Sequence, residues 1–262
     1  MGRFHRHDDG TVHSHDHGDH AHHHDHGDYV ADPEVIGDHS GYDTEKERIE
    51  ILEDIYAEND HLAEHNRQAF ADNNVKVVNL MSSPGSGKTT LLEHTLAKLQ
   101  GQLRVGIIEG DIETPLDAER LDGYGAQISL LNTGQGFGGE CHLDAPMVHH
   151  TLDGLDLDQL DLVIIENVGN LVCPAEFDVG ENAKAMVFSI TEGEDKPLKY
   201  PVMFRSVEIV VVNKMDLAPY LKFDMDRFRG YLEQVNPGVK VIELSALNGE
   251  GIDPWIKWLK QL

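Results

Sequence analysis

The sequence predicts an α/β domain with a mostly parallel sheet that is covered by helices on both faces. Apolar runs typical of buried strands alternate with segments of helical periodicity along most of the chain. A glycine-rich segment, Ser82–Thr89, lies between the first of these runs and a helix. Several polar motifs follow directly after the other runs, at the edge where open α/β sheets bind their ligands.

Seven apolar runs are predicted to form strands: Val75–Met81, Leu103–Glu109, Gln127–Leu131, Leu160–Glu166, Ala185–Ile190, Ile209–Asn213 and Val239–Leu244. Helical patterns lie between them or end the chain: Thr90–Leu99, about Pro115–Asp122, Ala145–Leu152, Asp224–Val235 and the segment after Ile252. A longer helix is predicted before the first strand, over Glu45–Phe70, because apolar residues recur there at three-and-four spacing. This apolar stripe consists of Ile49, Leu52, Ile55, Tyr56 and Leu62.

Composition limits the class of protein. The 262 residues include 40% hydrophobic residues, enough for one large domain or two small ones. The formal net charge of −26 argues against nucleic-acid binding, which requires a basic face, and is also compatible with adaptation to salt. No apolar run approaches the roughly 18 residues of a membrane span, and no apolar secretory signal precedes the domain. We therefore expect a cytoplasmic protein.

Residues 1–44 differ in composition from residues 45–262, which form the predicted α/β domain with its N-terminal helix. The first segment is rich in His, Asp and Gly and contains almost no aliphatic residues, so we expect it to be disordered. It could be an expression tag or a solvated tail, but its histidines are interleaved with Asp and Gly. Clustered imidazoles favour Ni²⁺, Cu²⁺ and Zn²⁺, which predicts nickel storage. The candidate ligands are His13, His15, His17, His20, His22, His23, His24 and His26.

Residues 82–89 nearly fit the phosphate-loop pattern GxxxxGK[ST], with Ser82 in place of the first glycine. Glycines allow the backbone N–H groups to point at phosphate oxygens, and the following helix adds its positive N-terminal end. Lys88 is expected to neutralise the β- and γ-phosphates, and Thr89 to place its hydroxyl on Mg²⁺. The predicted phosphate-binding residues are Gly85, Ser86, Gly87, Lys88, Thr89 and Thr90.

The segment Asn213-Lys-Met-Asp216 follows a predicted strand and indicates guanine recognition. A carboxylate at Asp216 could accept both the N1–H and the amino group of guanine, a donor pair that adenine lacks. Asn213 could brace this loop, and Lys214 could lie along the base. After the next strand, Ser245 and Ala246 could donate a backbone N–H to the guanine keto oxygen, although this dipeptide is also common at ordinary strand ends.

Two further loops lie where the γ-phosphate should be sensed. Asp111 follows the strand that ends at Glu109 and could hold Mg²⁺, directly or through water. Glu166 ends another strand, and the N–H of Gly169 could contact the γ-phosphate. Acidic residues after strands also serve as helix caps, so these assignments depend on the shared sheet edge. Lys88, Thr89 and Asp111 are the predicted catalytic residues, and slow turnover is expected because no glutamine that could position the attacking water is evident.

The two cysteines of the chain, Cys141 and Cys173, suggest a metal site together with His142. Two thiolates and an imidazole suit Zn²⁺ or Ni²⁺ and not Mg²⁺ or Ca²⁺. The spacing alone leaves alternatives open. The cysteines could instead be small buried apolar residues or could form a disulfide, which is rare in the cytosol.

Five segments together resemble the hydrogenase-maturation nickel-incorporation GTPases (HypB), which are related to the urease accessory GTPase UreG. The segments begin at Ser82, Glu109, Cys141, Glu166 and Asn213, and the resemblance extends from about Glu45 to Leu262. The most discriminating are Cys-His-Leu-Asp-Ala from Cys141 and Asn-Leu-Val-Cys-Pro around Cys173. The serine at position 82 resembles the family's own form of the phosphate loop.

The resemblance implies a P-loop NTPase fold of the signal-recognition and MinD-like class that forms a homodimer on binding GTP. It implies GTP/GDP, Mg²⁺, Ni²⁺ and Zn²⁺ as ligands, with Cys141, His142 and Cys173 holding metal at the dimer interface. It also implies two partners, the HypA nickel metallochaperone and the [NiFe]-hydrogenase large-subunit precursor. The cysteine-rich N-terminal nickel motif of some relatives is absent, because no cysteine precedes Cys141.

These observations predict a nickel-handling GTPase that hydrolyses GTP to time nickel delivery to a hydrogenase. Three alternatives stay open at the level of sequence. A urease-type nickel-insertion GTPase would differ in its client protein. A nickel storage protein with a vestigial GTPase fold is disfavoured by the intact Lys88 and Thr89, and a metabolic P-loop kinase is disfavoured by Asn213 and Asp216.

Removing residues 1–44 should abolish most weak nickel binding, because eleven of the 17 histidines leave with this segment. GTP hydrolysis should persist, since every predicted nucleotide-binding residue follows Ser82. In the full chain, binding should fail below about pH 6, where imidazole becomes protonated and stops being a ligand. Equilibrium dialysis measures the number of ions bound, and a multi-ion capacity that survives truncation would contradict nickel storage by this segment.

Overall fold

The structure is a computed structural model that describes residues 5–6, 12–13, 45–110, 120–121, 123–131 and 141–262. For the residues before position 53, the description is limited to the backbone. The chain divides into two units, Met1–Glu47 and Arg48–Leu262. In the first unit, His5–Arg6 pairs antiparallel with Val12–His13. The expected disorder of residues 1–44 stays a prediction, because most of them lie outside the described residues.

The second unit is built on a parallel sheet of seven strands, as predicted. The strands are β1 (Lys76–Ser82), β2 (Val105–Glu109), β3 (Gln127–Leu130), β4 (Leu162–Gly169), β5 (Ala183–Ser189), β6 (Ile209–Asn213) and β7 (Lys240–Glu243). Their spatial order is β3-β2-β4-β1-β5-β6-β7. Every neighbouring pair is parallel, so all carboxyl ends meet at one edge. Strand β1 lies between β4 and β5, so the loop that follows it begins at the middle of this edge.

Seven α-helices belong to the described part of the chain. They are α1 (Glu45–Asp72), α2 (Lys88–Leu99), α3 (Ala145–Thr151), α4 (Lys196–Lys199), α5 (Pro201–Arg205), α6 (Met225–Val235) and α7 (Asp253–Leu259). The short helices α4 and α5 were not predicted, because neither is long enough to show a period and each has a proline among its first two residues. Most of the predicted helix at Pro115–Asp122 lies outside the described residues. In the described part, no helix is long and apolar enough to cross a membrane.

The core lies on both faces of the sheet, as expected for parallel strands. Alternate strand residues point to opposite sides, so Val78 and Leu80 pack with α2 and α7, where Trp255 is fully buried. On the other side, Val77 packs with Phe70 of α1 and with α3. Phe188 of β5 packs with α5 and α6 on the same side. Helices therefore cover the sheet while leaving its carboxyl edge to the loops.

None of the three residues of the apolar stripe whose side chains are described on α1 is fully buried, and Leu62 is half-buried. Ile55 is 48% exposed and Tyr56 is 39% exposed, while Ile49 and Leu52 lie outside the described side chains. The buried side chains described on α1 are Asn59, Ala63, Asn66 and Phe70. Two of these are asparagines, which apolar periodicity does not identify.

The two buried asparagines of α1 bind backbone groups of the loops beneath the helix. Asn59 donates to the Asp178 carbonyl at 2.9 Å and accepts from the Ala145 N–H at 2.9 Å. Asn66 donates to the Ala145 carbonyl at 3.0 Å and the Val179 carbonyl at 3.2 Å. These bonds satisfy polar groups that would otherwise be buried at a cost. They fix α1 over the start of α3 and over residues 178–180.

An ion pair and a buried acidic side chain lie beside the contact between α1 and residues 178–180. Arg67 Nη2 is 2.6 Å from Asp178 Oδ2. Burial acts to raise the pKa of Asp178, but the Gly180 N–H and the Arg67 guanidinium help to lower it below its usual value. Burial raises the pKa of Glu181, which accepts the Val179 N–H at 2.8 Å. The surroundings therefore favour the charged form of Asp178 and disfavour that of Glu181.

Gly180→Ala should destabilise the protein, because α1 lies directly against this glycine. Gly180 has φ +92°, and a Cβ there would lie 2.8 Å from the Ala63 carbonyl oxygen. Gly101→Ala is a matched control, since its φ is +74° and a Cβ there would meet nothing within 4 Å. Both carry backbone strain of about 1–3 kcal/mol, but only Gly180→Ala adds overpacking of about 1–3 kcal/mol. Urea unfolding measures both losses, and equal values would show that α1 does not press on Gly180.

Candidate nucleotide and metal site

The loop after β1 has the backbone form of a phosphate-binding loop. Gly85 and Gly87 have φ of +68° and +99°, in the left-handed region that glycine adopts without strain. Helix α2 begins at Lys88, so its N-terminal N–H groups face the space above the loop. A Cβ on Gly87 would lie 2.5 Å from Asn213 Nδ2, so glycine is also required there for space.

Lys88 and Ser82 contact each other at the base of this loop. The Lys88 ammonium, although only 5% exposed, donates to Ser82 Oγ at 2.9 Å. Ser82 Oγ in turn donates to the Ser83 carbonyl at 2.7 Å. The serine that departs from the general pattern therefore holds the lysine that is expected to meet the phosphates.

Asn213 joins three segments that are distant in sequence. Its Nδ2 donates to the Ser86 carbonyl at 2.8 Å, in the phosphate loop. Its Oδ1 accepts from the Lys214 N–H at 2.7 Å and from the Ala246 N–H at 2.8 Å. The predicted bracing role of Asn213 thus corresponds to three hydrogen bonds. The Ala246 N–H, expected to meet the guanine keto oxygen, is donated to Asn213.

Four of the five predicted base-recognition residues line one pocket, and Ser245 lines another. The first pocket has a volume of about 250 Å³ and is lined by Gly87, Thr90, Asn213, Lys214, Asp216 and Ala246. Asp216 Oδ1 accepts from Ser245 Oγ at 2.5 Å, which orients the carboxylate. Lys214 Nζ donates to the Gly85 carbonyl at 2.7 Å, so its side chain crosses toward the phosphate loop. The arrangement suits a purine that is read at its edge by Asp216.

Thr89 and Glu166 are brought together at the end of the loop where Mg²⁺ is expected. Thr89 Oγ1 donates to Glu166 Oε1 at 3.0 Å. Hydroxyl and carboxylate oxygens are ligands that Mg²⁺ prefers, so the donors present fit this ion. Gly169 lies beside Ser82 in the parallel register of β4 and β1. Asp111 and the side chains of the eight tract histidines lie outside what the structure describes, and their roles stay predictions.

Cys141, His142 and Cys173 form a cluster, as the sequence suggested. Their ligand atoms all lie within 4.8 Å of one another. The two Sγ atoms are 2.9 Å apart and belong to free thiols, and Cys141 Sγ is 3.6 Å from His142 Nδ1. Two thiols and one imidazole at this spacing can bind a tetrahedral Zn²⁺ or a Ni²⁺ ion.

Aromatic rings pack against one side of this cluster of side chains. The His142 ring stacks on Phe177 with centroids 4.1 Å apart, and Phe177 stacks on Tyr56 of α1 at 5.5 Å. The Tyr56 hydroxyl donates to Glu176 Oε2 at 3.3 Å. Burial, followed by the negative charges of Glu176 and Cys173, raises the pKa of Tyr56. The stack limits the rotation of the His142 ring and so fixes the direction of its nitrogens.

The loop that carries Cys141 and His142 is tied to β4 by asparagines. Asn167 Oδ1 accepts from the Leu143 N–H at 3.0 Å, and Asn167 Nδ2 donates to Asn79 Oδ1 at 3.1 Å. Asn170 Nδ2 donates to the Cys141 carbonyl at 3.2 Å. The sequence analysis did not identify Asn167 or Asn170 as functional, although both lie in the segment that carried the family resemblance.

A phosphate loop at the central strand, a guanine-type pocket and a parallel sheet define the class of protein as a P-loop nucleotide-binding protein. The family described as CobW/HypB/UreG, nucleotide-binding domain, matches residues 76–243. The hydrogenase maturation factor HypB of Escherichia coli K12 is 46% identical over 224 residues, covering 86% of this chain and 76% of that protein. The chain belongs to this family of P-loop GTPases, among the hydrogenase maturation factors of the HypB type.

Two solved structures have the same fold. The crystal structure of HypB from Archaeoglobus fulgidus is 38% identical, with a TM-score of 0.72, and the match covers 78% of this chain and 98% of that one. The crystal structure of HypB from Helicobacter pylori in complex with nickel is 33% identical, also with a TM-score of 0.72. That match covers 78% of this chain and 94% of the other.

Asp216→Asn should shift base preference from guanine to xanthine. The substitution replaces one acceptor oxygen with a donor, which opposes the guanine amino group and matches the xanthine 2-oxo group. Since a hydrogen bond to a charged group contributes about 1.5–3 kcal/mol, GTP affinity should fall about 10- to 100-fold. Titration with GTP and XTP measures both affinities, with the exposed Asp226→Asn as control. Unchanged affinities for both nucleotides would show that Asp216 does not read the base.

Proposed function

We propose that the protein is a GTP-hydrolysing nickel metallochaperone that delivers Ni²⁺ to the precursor of a [NiFe]-hydrogenase large subunit. In this proposal, Cys141, His142 and Cys173 hold the transferred ion, and the nucleotide state sets how tightly they hold it. One observation carries the proposal. Adjacent residues of β4 contact the nucleotide loop and the metal-binding loop, Glu166 through Thr89 and Asn167 through Leu143.

The strand geometry makes this contact directional. Successive residues of a strand point to opposite faces of the sheet. Glu166 therefore points toward the phosphate loop, while Asn167 points to the other face, toward Asn79 and Leu143. A movement of β4 that follows loss of the Thr89–Glu166 hydrogen bond is transmitted to the residue next to His142.

A second contact joins the same two sites. Gly110 follows β2, and a Cβ there would lie 2.5 Å from the Leu143 side chain. The Gly110 N–H also donates to the Glu166 carbonyl at 3.0 Å. Asp111, the predicted Mg²⁺ ligand, is the next residue in the chain. Both loops expected to sense the γ-phosphate therefore converge on Leu143.

The hydrolytic step rests on charge stabilisation. Phosphoryl transfer needs positioned positive charge more than covalent chemistry, and bound Mg²⁺ would neutralise charge on the β- and γ-phosphate oxygens. Lys88 supplies a second positive charge, and the loop N–H groups bind phosphate oxygens. Slow intrinsic turnover is part of this proposal, because the segment after Glu166 carries no glutamine that could position the attacking water.

The chemistry of the metal cluster supports nickel or zinc as the transferred ion. Thiolates and imidazole bind these borderline-soft ions, and a relative of this chain has been crystallised in complex with nickel. The histidines of residues 1–44 would store further nickel ions. HypA is the expected nickel-donating partner, and the cytoplasm the expected compartment, as the family resemblance implies.

Exposed apolar side chains beside the cluster support a homodimer that forms on binding GTP. Val172, which directly precedes Cys173, is 56% exposed. Tyr56, whose ring stacks on Phe177, is 39% exposed, and its neighbour Ile55 is 48% exposed. Apolar surface around a polar site is typical of interaction surfaces. A second copy placed there would cover the cluster and control release of the ion.

Nickel affinity at the cluster should differ between the two nucleotide states. Thiolate-to-nickel charge-transfer absorption in the full chain follows this site separately from the histidine tract. Titrations with GDP and with a non-hydrolysable GTP analogue should give affinities that differ about 5- to 150-fold, a typical coupling between sites. Cys173→Ser should abolish the absorption while GTP hydrolysis persists. Equal affinities in both states would contradict a GTP-timed release.

Asn167→Ala tests whether the coupling passes through Leu143. This substitution removes the acceptor of the Leu143 N–H but none of the metal ligands, so it should bring the affinity ratio closer to one. Asn73→Ala is a matched control at the end of α1, and it should leave the ratio unchanged.

Transfer of nickel to the isolated hydrogenase precursor should then depend on GTP hydrolysis in the unsubstituted chain and lose that dependence in Asn167→Ala.

A further inference from the structure

The exposed face of α1 carries three side chains with metal-binding chemistry that the site above does not use. Glu58, His61 and His65 are all exposed and follow one another at spacings of three and four residues. On a helix, residues at these spacings lie on one face, one above the other. The three side chains therefore project into solvent from adjacent turns of the same face.

The two histidine rings contact each other edge to face. Their centroids are 4.6 Å apart, and their planes are at 84° to each other. When two imidazoles bind one ion at metal–nitrogen distances of about 2.1 Å, with a right angle between the two metal–nitrogen bonds, their ring centroids lie about 4.5 Å apart. The terminal torsion of histidine is broad, so the rings can turn their nitrogens toward a shared ion without moving the backbone.

Both spacings occur in known metal sites on helices. Two histidines at i and i+4 of a helix bind zinc in the HExxH arrangement, and a Glu-x-x-His pair places carboxylate and imidazole together in helical metal centres. Here Glu58 and His61 form the second pattern, and His61 and His65 the first. Glu64 also lies nearby but binds Arg67 Nη1 at 2.5 Å, which leaves Glu58 as the carboxylate ligand.

We propose that His61 and His65, together with Glu58, form a separate binding site for a divalent transition-metal ion on α1. Two imidazoles and a carboxylate favour Ni²⁺, Cu²⁺ or Zn²⁺ over Mg²⁺. This site goes beyond the proposed function, because it involves neither the Cys141 cluster nor the nucleotide. It lies between the histidine tract and Cys141 in sequence, on the helix whose Tyr56 borders the cluster.

Histidine modification by diethyl pyrocarbonate tests this site in the full chain. A bound ion blocks the imidazole nitrogen from the reagent, and mass spectrometry of peptides resolves each histidine from the tract. With increasing nickel chloride, His61 and His65 should become protected together at one midpoint. In His65→Ala, His61 protection should require at least about tenfold more nickel, since the second ligand otherwise binds intramolecularly. Alanine favours helix, so α1 should persist, and circular dichroism checks this.

His150→Ala is the matched control, because His150 is an exposed histidine on the short helix α3. It should leave the protection of His61 and His65 unchanged, whereas Glu58→Gln should raise their nickel midpoint. Absence of protection, or His61 protection that is unaffected in His65→Ala, would overturn the proposed site. Thiolate-to-nickel absorption recorded on the same samples reports the Cys141 cluster. If the protection of His61 and His65 is absent while the thiolate-to-nickel absorption is present, this site fails and the proposed function does not. The opposite result would contradict the proposed function and leave this site standing.

Discussion

One buried side-chain amide, that of Asn213, holds the nucleotide site together. Its three hydrogen bonds connect the phosphate loop, the segment that carries Asp216 and the turn after β7. These segments come from different parts of the chain. The Lys214–Gly85 and Ser245–Asp216 hydrogen bonds and the pairing of β6 with β7 also join them, but only Asn213 contacts all three through one side chain. Because the amide is 1% exposed, loss of any partner would leave a buried polar group unsatisfied. The position of the base relative to the phosphates therefore depends on this residue.

The parallel sheet explains how the cluster of Cys141, His142 and Cys173 can lie near the candidate nucleotide site without sharing residues with it. β4 lies beside β1, and its carboxyl end reaches both sites. Glu166 and Asn167 are neighbours in sequence but face opposite sides of the sheet. The phosphate loop uses one face, and the loop with Cys141 is bound to the other. A single strand thus contacts both centres while its backbone hydrogen bonds keep it in register.

Much of the fold and of the nucleotide site could be predicted because local patterns determine them. All seven strands are apolar runs, and Gly85, Lys88 and Asp216 belong to motifs whose spacing has a physical reason. The burial of Asn59 and Asn66 on α1 was not predicted, because it depends on hydrogen bonds to distant carbonyls, which no periodicity reveals. The roles of Asn167 and Gly110 likewise depend on contacts with Leu143, far from either in sequence.

The attachment of α1 determines how this helix can open locally. In the stretch from Asn59 to Asn66, the buried side chains are two amides and Ala63, so detachment there would expose little apolar surface. Heat-capacity change follows the apolar area that is exposed, and the opening enthalpy of this stretch should therefore vary little with temperature. Phe70 is 2% exposed and anchors the other end in the core. Amide hydrogen exchange along α1 should accordingly be graded, fastest toward its N-terminal side and slowest near Phe70.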